Sequence, residues 1–260
     1  MKCSSYRLRA FVTALAWCLT LAVSLSAAPV SKDRDKEKER EGKPVDAGSF
    51  GIYQNGNRVG TETFSIYQNG SGSTIQADFK TENVTNPATQ TSTMLIGNNG
   101  DLKRYEWKEL SPGSAELVVV PNDDFLTQKW RTGSQEKEHE QPYLRPVSTT
   151  ILDDYSFIQR EVLAWHFIAL ACSKQDKGLQ CPLKQRTQFA ILIPHEQSSA
   201  ALSAECLGRE RVALKSGAVE LMKLEFKTDA STWQIWVDER DEYKVLRMAV
   251  VGENTIIDRD

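Results

Sequence analysis

The sequence predicts a mainly β protein: a strongly curved antiparallel sheet, a β-roll or open barrel, with one substantial helix packed against it. Three observations carry this. Apolar and polar residues alternate with period two along many short segments, Asn-Gly dipeptides separate several of them, and a single segment shows helical periodicity instead. A sheet with one wet and one apolar face needs a cover, and a lone helix supplies it.

Before the strands come two other segments. Lys2, Arg7 and Arg9 precede an apolar run from Ala10 to Val23, which ends in the small residues Ser24, Ser26, Ala27 and Ala28. That order is the one a secretory signal peptide takes, so residues 1–28 are expected to be removed on export, with cleavage near Ala27 or Ala28. Residues 29–47 contain Lys32-Asp33-Arg34-Asp35-Lys36-Glu37-Lys38-Glu39-Arg40-Glu41, alternating charge without a large apolar side chain. Such a stretch buries too little to offset its ordering entropy and is expected to be a solvated tether. A single β-rich domain then occupies residues 48–260.

The strand pattern recurs throughout that domain. Phe64/Ile66, Ile75/Ala77/Phe79, Tyr105/Trp107, Met222/Leu224/Phe226 and Leu246/Met248/Val250 alternate with polar neighbours. The continuous runs Leu117-Val118-Val119-Val120 and Phe189-Ala190-Ile191-Leu192-Ile193 suggest strands covered more deeply. Asn55-Gly56, Asn69-Gly70 and Asn99-Gly100 lie between such runs, and Asn-Gly readily takes the positive φ angles of a type I′ hairpin. The segments Ile52-Tyr53-Gln54-Asn55-Gly56-Asn57 and Ile66-Tyr67-Gln68-Asn69-Gly70-Ser71 are nearly identical, as expected of a reused hairpin end. The helix is expected from Tyr155 to Ala171, capped by Asp153-Asp154, with Ile158, Val162, Trp165 and Ala169 on one face. Its apolar half is too short to cross a bilayer, which takes about twenty residues.

Composition removes several function classes. The chain has 260 residues, 32 basic and 35 acidic side chains and a formal charge of −3. Loss of the signal peptide takes away three positive charges and no negative one, leaving −6. A chain of this balance has no whole-protein field to attract nucleic acid. Its mean hydropathy of −0.44 excludes a polytopic membrane protein.

Phe50-Gly51-Ile52-Tyr53, then Val59-Gly60-Thr61, and near the end Trp236-Val237-Asp238 followed by Tyr243-Lys244-Val245-Leu246-Arg247, resemble the opening and closing strands of an uncharacterised family of exported bacterial β proteins. The resemblance implies a spiral β-roll, related in outline to glycolipid-binding proteins and to the periplasmic carriers of lipoproteins. It supplies no catalytic residues.

The three cysteines beyond the signal peptide are Cys172, Cys181 and Cys206. In an oxidising compartment Cys172 and Cys181 are a candidate pair closing a small loop, although three pairings are open to sequence reasoning. No Cys-x-x-Cys spacing suggests a metal site. Each histidine has an ordinary explanation: His139 in a charged loop, His166 inside the apolar helix, His195 exposed at a strand end. Asp123-Asp124, Asp153-Asp154 and the acidic residues from Glu239 to Glu242 are expected to cap or solvate turns. No nucleophile elbow, phosphate loop or zinc-binding helix motif occurs. Aromatic residues give the binding hint. In Thr232-Trp233-Gln234-Ile235-Trp236-Val237-Asp238, alternation puts Trp236 on the face opposite Trp233.

The expected protein is therefore an exported, periplasmic or secreted, non-enzymatic binding module for a lipid or glycolipid. Trp165, Phe167, Trp233 and Trp236 are its candidate cavity or rim residues. No catalytic residue, metal or cofactor is assigned, and neither a nucleic-acid partner nor a membrane span of the mature chain is expected. An envelope scaffold that binds another protein is the alternative, with a hydrolase assembled only in three dimensions behind it. An enclosed cavity would favour the first reading and a filled core with an apolar surface patch the second. A histidine and carboxylate at hydrogen-bond distance in a cleft would favour the third.

Overall fold

The computed structural model describes residues 42–260 except 134–135, 145–148, 155, 176–177 and 216. The segment expected to be a signal peptide and most of the expected tether lie outside the described residues. The first meander comprises β1 (Lys43–Gln54), β2 (Asn57–Asn69), β3 (Gly72–Thr81), β4 (Thr89–Gly97), β5 (Leu102–Ser111), β6 (Ala115–Asn122), β7 (Phe125–Thr132) and β8 (His139–Leu144). After β9 (Thr149–Ile151) and helix α1 (Ile158–Ala171) comes a small ribbon, β10 (Ser173–Gln175) with β11 (Gly178–Gln180). The second meander is β12 (Thr187–Ile193), β13 (Ser198–Leu214), β14 (Gly217–Lys227), β15 (Thr232–Asp238), β16 (Lys244–Val250) and β17 (Thr255–Arg259).

The two meanders join where β1 pairs with β17, making one 15-stranded sheet whose ends are β8 and β9. Its neighbours run antiparallel except β9 with β12. The sheet curls around α1 without closing into a barrel. Its two ends approach each other, as the Gln128 amide on β7 shows by donating to the Pro194 carbonyl after β12, 2.9 Å. The space beneath α1 is filled by Phe50, Phe64, Phe167, Phe189, Leu224 and Met248. Burying each such side chain contributes about 1.5–3 kcal/mol.

Several expectations are corrected. Pairing of β1 with β2 begins at Lys43, so the last residues assigned to the tether belong to the sheet. Asp46 supplies the reason, because its buried carboxylate takes two hydrogen bonds from Arg259 at 2.6 and 2.7 Å. The helix starts at Ile158, with Phe157 as an N-cap that makes no side-chain cap bond. Its buried side runs through Arg160, Leu163, Ala164, Phe167 and Ile168, while Ala169 is exposed. The expected face is rotated because polar contacts of Arg160 and Glu161, and not apolar spacing alone, set the helix orientation.

Of the three Asn-Gly sites, Asn55 (φ 51°) and Gly56 (φ 78°) make the expected two-residue hairpin between Gln54 and Asn57. At the second, Asn69 is the last residue of β2, and its side-chain oxygen accepts from the Ser71 and Gly72 amides at 2.8 and 3.2 Å. Gly72 takes φ 151°, where a Cβ would collide with the Ile96 carbonyl oxygen. The third forms a longer loop, with Gly100 at φ 81° and its amide bonded to the Gly97 carbonyl. In β16, Leu246 is the extra residue of a bulge opposite Trp236 and Val237. It turns away from Met248 and packs in a small outer cluster with Trp236, Val212 and Leu221.

Candidate functional site

The start of α1 is built on a buried polar seam. The first amides of a helix lack intrahelical acceptors, and here a carboxylate from another strand accepts from them. Glu62 on β2 receives the Phe157 amide at 3.0 Å, the Ile158 amide at 2.9 Å and the Ser156 hydroxyl at 3.1 Å. Burial pushes this carboxyl up to about 7, against the opposing pull of those donors and of Arg160. Arg160 is itself buried, with its guanidinium 4.0 Å from the centre of the Trp233 ring. Its two carbonyl acceptors are Asp153 and Ser156, and burial lowers it to about 10.

Asp153 is not the exposed cap expected from the sequence. Fully buried, it accepts from the Tyr105 hydroxyl at 2.7 Å and lies 2.5 Å from His195 Nδ1, while its amide donates to Gln159 Oε1. Burial and the neighbouring carboxylate raise the Tyr105 phenol well above its ordinary value. His195, expected at the surface, is 18% exposed and meets the edge of Trp107, with ring centres 4.2 Å apart. The Asp153–His195 contact has the geometry of a base and the group that orients it.

A second clamp holds the middle of the sheet to the helix. Arg259 reaches both Asp46 and Glu161, the latter at 3.2 Å, and Glu161 also accepts from the Val245 amide at 2.9 Å. Burial and contact with Asp46 hold the Glu161 carboxyl well above the usual range, against the pull of Arg259.

The sequence-selected aromatic residues take separate places. Phe167 is wholly buried, and Trp165 donates its indole N–H to the Tyr243 carbonyl at 2.8 Å. Trp233 lies against Arg160 and Phe157. Trp236 is in the outer cluster, donating to Glu210 at 3.2 Å beneath the Lys223 ammonium. Cys172 and Cys181 form the anticipated disulfide, and Cys206 is free and buried. His139 lies on edge strand β8 and stacks on Trp130, in place of the expected loop. His166 packs against Phe189, where burial lowers its pKa.

None of the four aromatic candidates lines the apolar recess at the open end of the sheet. This recess, about 490 Å³, is walled by Leu126 and Tyr143 from one end of the sheet and by Ala190, Leu192 and Ala200 from the other. Gln188 and Ala201 belong both to it and to an adjoining recess of about 250 Å³. The second recess is charged, with Arg186, Lys227, Glu205, Glu225 and Asp229. Strand register explains the continuity: Ala190 pairs with Ala201, Gln188 with Ser203, Ser203 with Lys227, and Glu205 with Glu225, so all project from one face. Opposite them, Phe189, Leu202, Ala204 and Phe226 enter the core. Short alanines beside Leu192 leave the hollow, and Arg186 stands 3.4 Å from Glu205 at the charged end.

The sequence signal for this surface is weak, since the small residues of β13 carry no motif. Among the described residues no group of three or more His, Cys, Asp or Glu could hold a metal, and no helix is long and apolar enough to cross a membrane. Comparison of the chain with family models, curated proteins and solved structures finds no match.

Proposed function

We propose that this protein is an exported binding module for an amphiphilic lipid or glycolipid, acting in the periplasm or outside the cell. The observation that carries the reading is the apolar recess running through Gln188 and Ala201 into a charged one. Its volume lies in the range of small-molecule sites, about 300–1,000 Å³. An acyl chain fits the Leu126, Ala190, Leu192 and Ala200 end. A polar head fits beside Arg186, Lys227, Glu205 and Glu225, where donors and acceptors of both charges suit hydroxyl groups. The signal-peptide pattern of residues 1–28 and the resemblance to exported β-roll proteins support the location and the ligand class.

Native mass spectrometry of protein purified from its own envelope tests this directly. A stoichiometric lipid is expected, and Ala201→Trp, which fills the junction of the two recesses, is expected to lose it while retaining the wild-type fold. A bare mass after incubation with envelope lipid extract, or equal lipid occupancy in the variant, would overturn the assignment.

The Asp153–His195 contact favours a second reading, general-base hydrolysis. His195→Gln is expected to abolish ester hydrolysis measured on a panel of acyl substrates. Absence of wild-type turnover across that panel removes this reading and leaves the binding module.

A further inference from the structure

We propose that Cys206 is a resident exchange thiol for the Cys172–Cys181 disulfide, able to transfer Cys181 from the end of α1 to strand β13. Cys172 is the C-cap residue of α1, so the existing bridge fastens the helix terminus to the segment after β11. That segment also runs onto β13. Leu183, two residues beyond Cys181, forms a parallel bridge with Cys206, and the Lys184 amide donates to the Cys206 carbonyl at 3.1 Å. Two residues of chain span about 7 Å at most, and a disulfide joins Cα atoms about 4.4–6.8 Å apart. Cys181 is therefore tethered within a short swing of Cys206.

The side chains border one recess. Cys206 pairs across the ladder with Leu224, and Met222, two residues away on β14, shares the face of Leu224. The Met222 sulfur lies 3.9 Å from Cys181 Sγ. Cys181, Cys206 and Met222 together line a recess of about 580 Å³, which gives the sulfurs room to move.

The step is an isomerisation. Cys206 gives its proton to solvent, and its thiolate attacks Cys181 Sγ. The bond to Cys172 breaks, its electron pair leaves on Cys172 Sγ, and that sulfur takes up a proton. One disulfide and one thiol are present before and after, so no external oxidant or reductant enters. Burial raises the Cys206 thiol, so its thiolate is scarce near neutral pH and exchange is faster as pH rises. The consequence is mechanical, because α1 loses its covalent hold at the C-terminal end.

Peptide mapping tests the proposal. The purified protein is held at pH 6 or 8.5, quenched in acid, alkylated and digested with trypsin, which places Cys172, Cys181 and Cys206 in peptides 161–174, 178–184 and 187–209. The expected result is a pH-dependent cross-link of peptides 178–184 and 187–209 with the alkyl label on 161–174. A Cys172→Ser variant, oxidised with glutathione disulfide, is expected to form the same cross-link at near-complete yield. Label confined to 187–209 at both pH values, together with failure of folded Cys172→Ser to join Cys181 to Cys206, would overturn the proposal.

Discussion

Replacing Glu62 by glutamine is expected to flatten the pH dependence of stability by about 3 kcal/mol between pH 4.5 and 7.5. The carboxyl is raised from 4.5 to about 7 in the folded chain, chiefly by burial. Folding therefore takes up a proton between those two values. For the wild-type protein this group makes stability greatest below about pH 4.5, lets it fall as pH rises to about 7, and leaves it level above. At about 1.4 kcal/mol per pH unit, the displacement corresponds to about 3 kcal/mol. Glutamine carries no ionisable proton, so its contribution is constant with pH. Glu161 and His166 are common to both proteins, and their titration cancels in the difference. Urea unfolding followed by tryptophan fluorescence at pH 5, 6, 7 and 8 measures the effect, with Trp233 beside the perturbed Arg160 as a nearby reporter. Parallel stability curves for wild type and Glu62→Gln would refute the reasoning, because they would mean that Glu62 titrates alike in the folded and unfolded chains.

Two further substitutions test the buried contacts. Arg259→Met removes the cation that pairs with the buried carboxylates of Asp46 and Glu161, so a loss of about 3–5 kcal/mol at pH 7 is expected by urea unfolding. Tyr105→Phe removes the hydroxyl bonded to Asp153, and a loss of about 1–3 kcal/mol is expected in thermal or urea unfolding without change in the secondary-structure spectrum.

The amphiphile reading depends on how far the sheet curls. Were it flat, Leu126 and Tyr143 would stand far from Ala190 and Leu192, and no recess would exist. The interior beneath α1 is filled by core side chains, and the recess lies instead where the two ends of the sheet approach each other. This separates the role of the conspicuous aromatics, which pack or brace the core, from that of the small residues that leave room.

The sequence by itself determined the mainly β class, the antiparallel meanders and the helix that packs on the sheet, because side-chain alternation and local turn chemistry act over only a few residues. Ile75, Ala77 and Phe79 share a buried face for that reason, and Asn55-Gly56 closes its hairpin for that reason. Spacing also made Cys172 and Cys181 a candidate pair, since a nine-residue separation can close locally. Tertiary structure decided what lies far apart in the chain. Glu62 meets the helix start across 96 residues, Arg259 meets Asp46 across 213, and Asp153 meets Tyr105 and His195 from opposite meanders. No periodicity encodes those meetings. They follow from sheet curvature and from the need of each buried donor or charge for a partner, a need that only the assembled fold can satisfy.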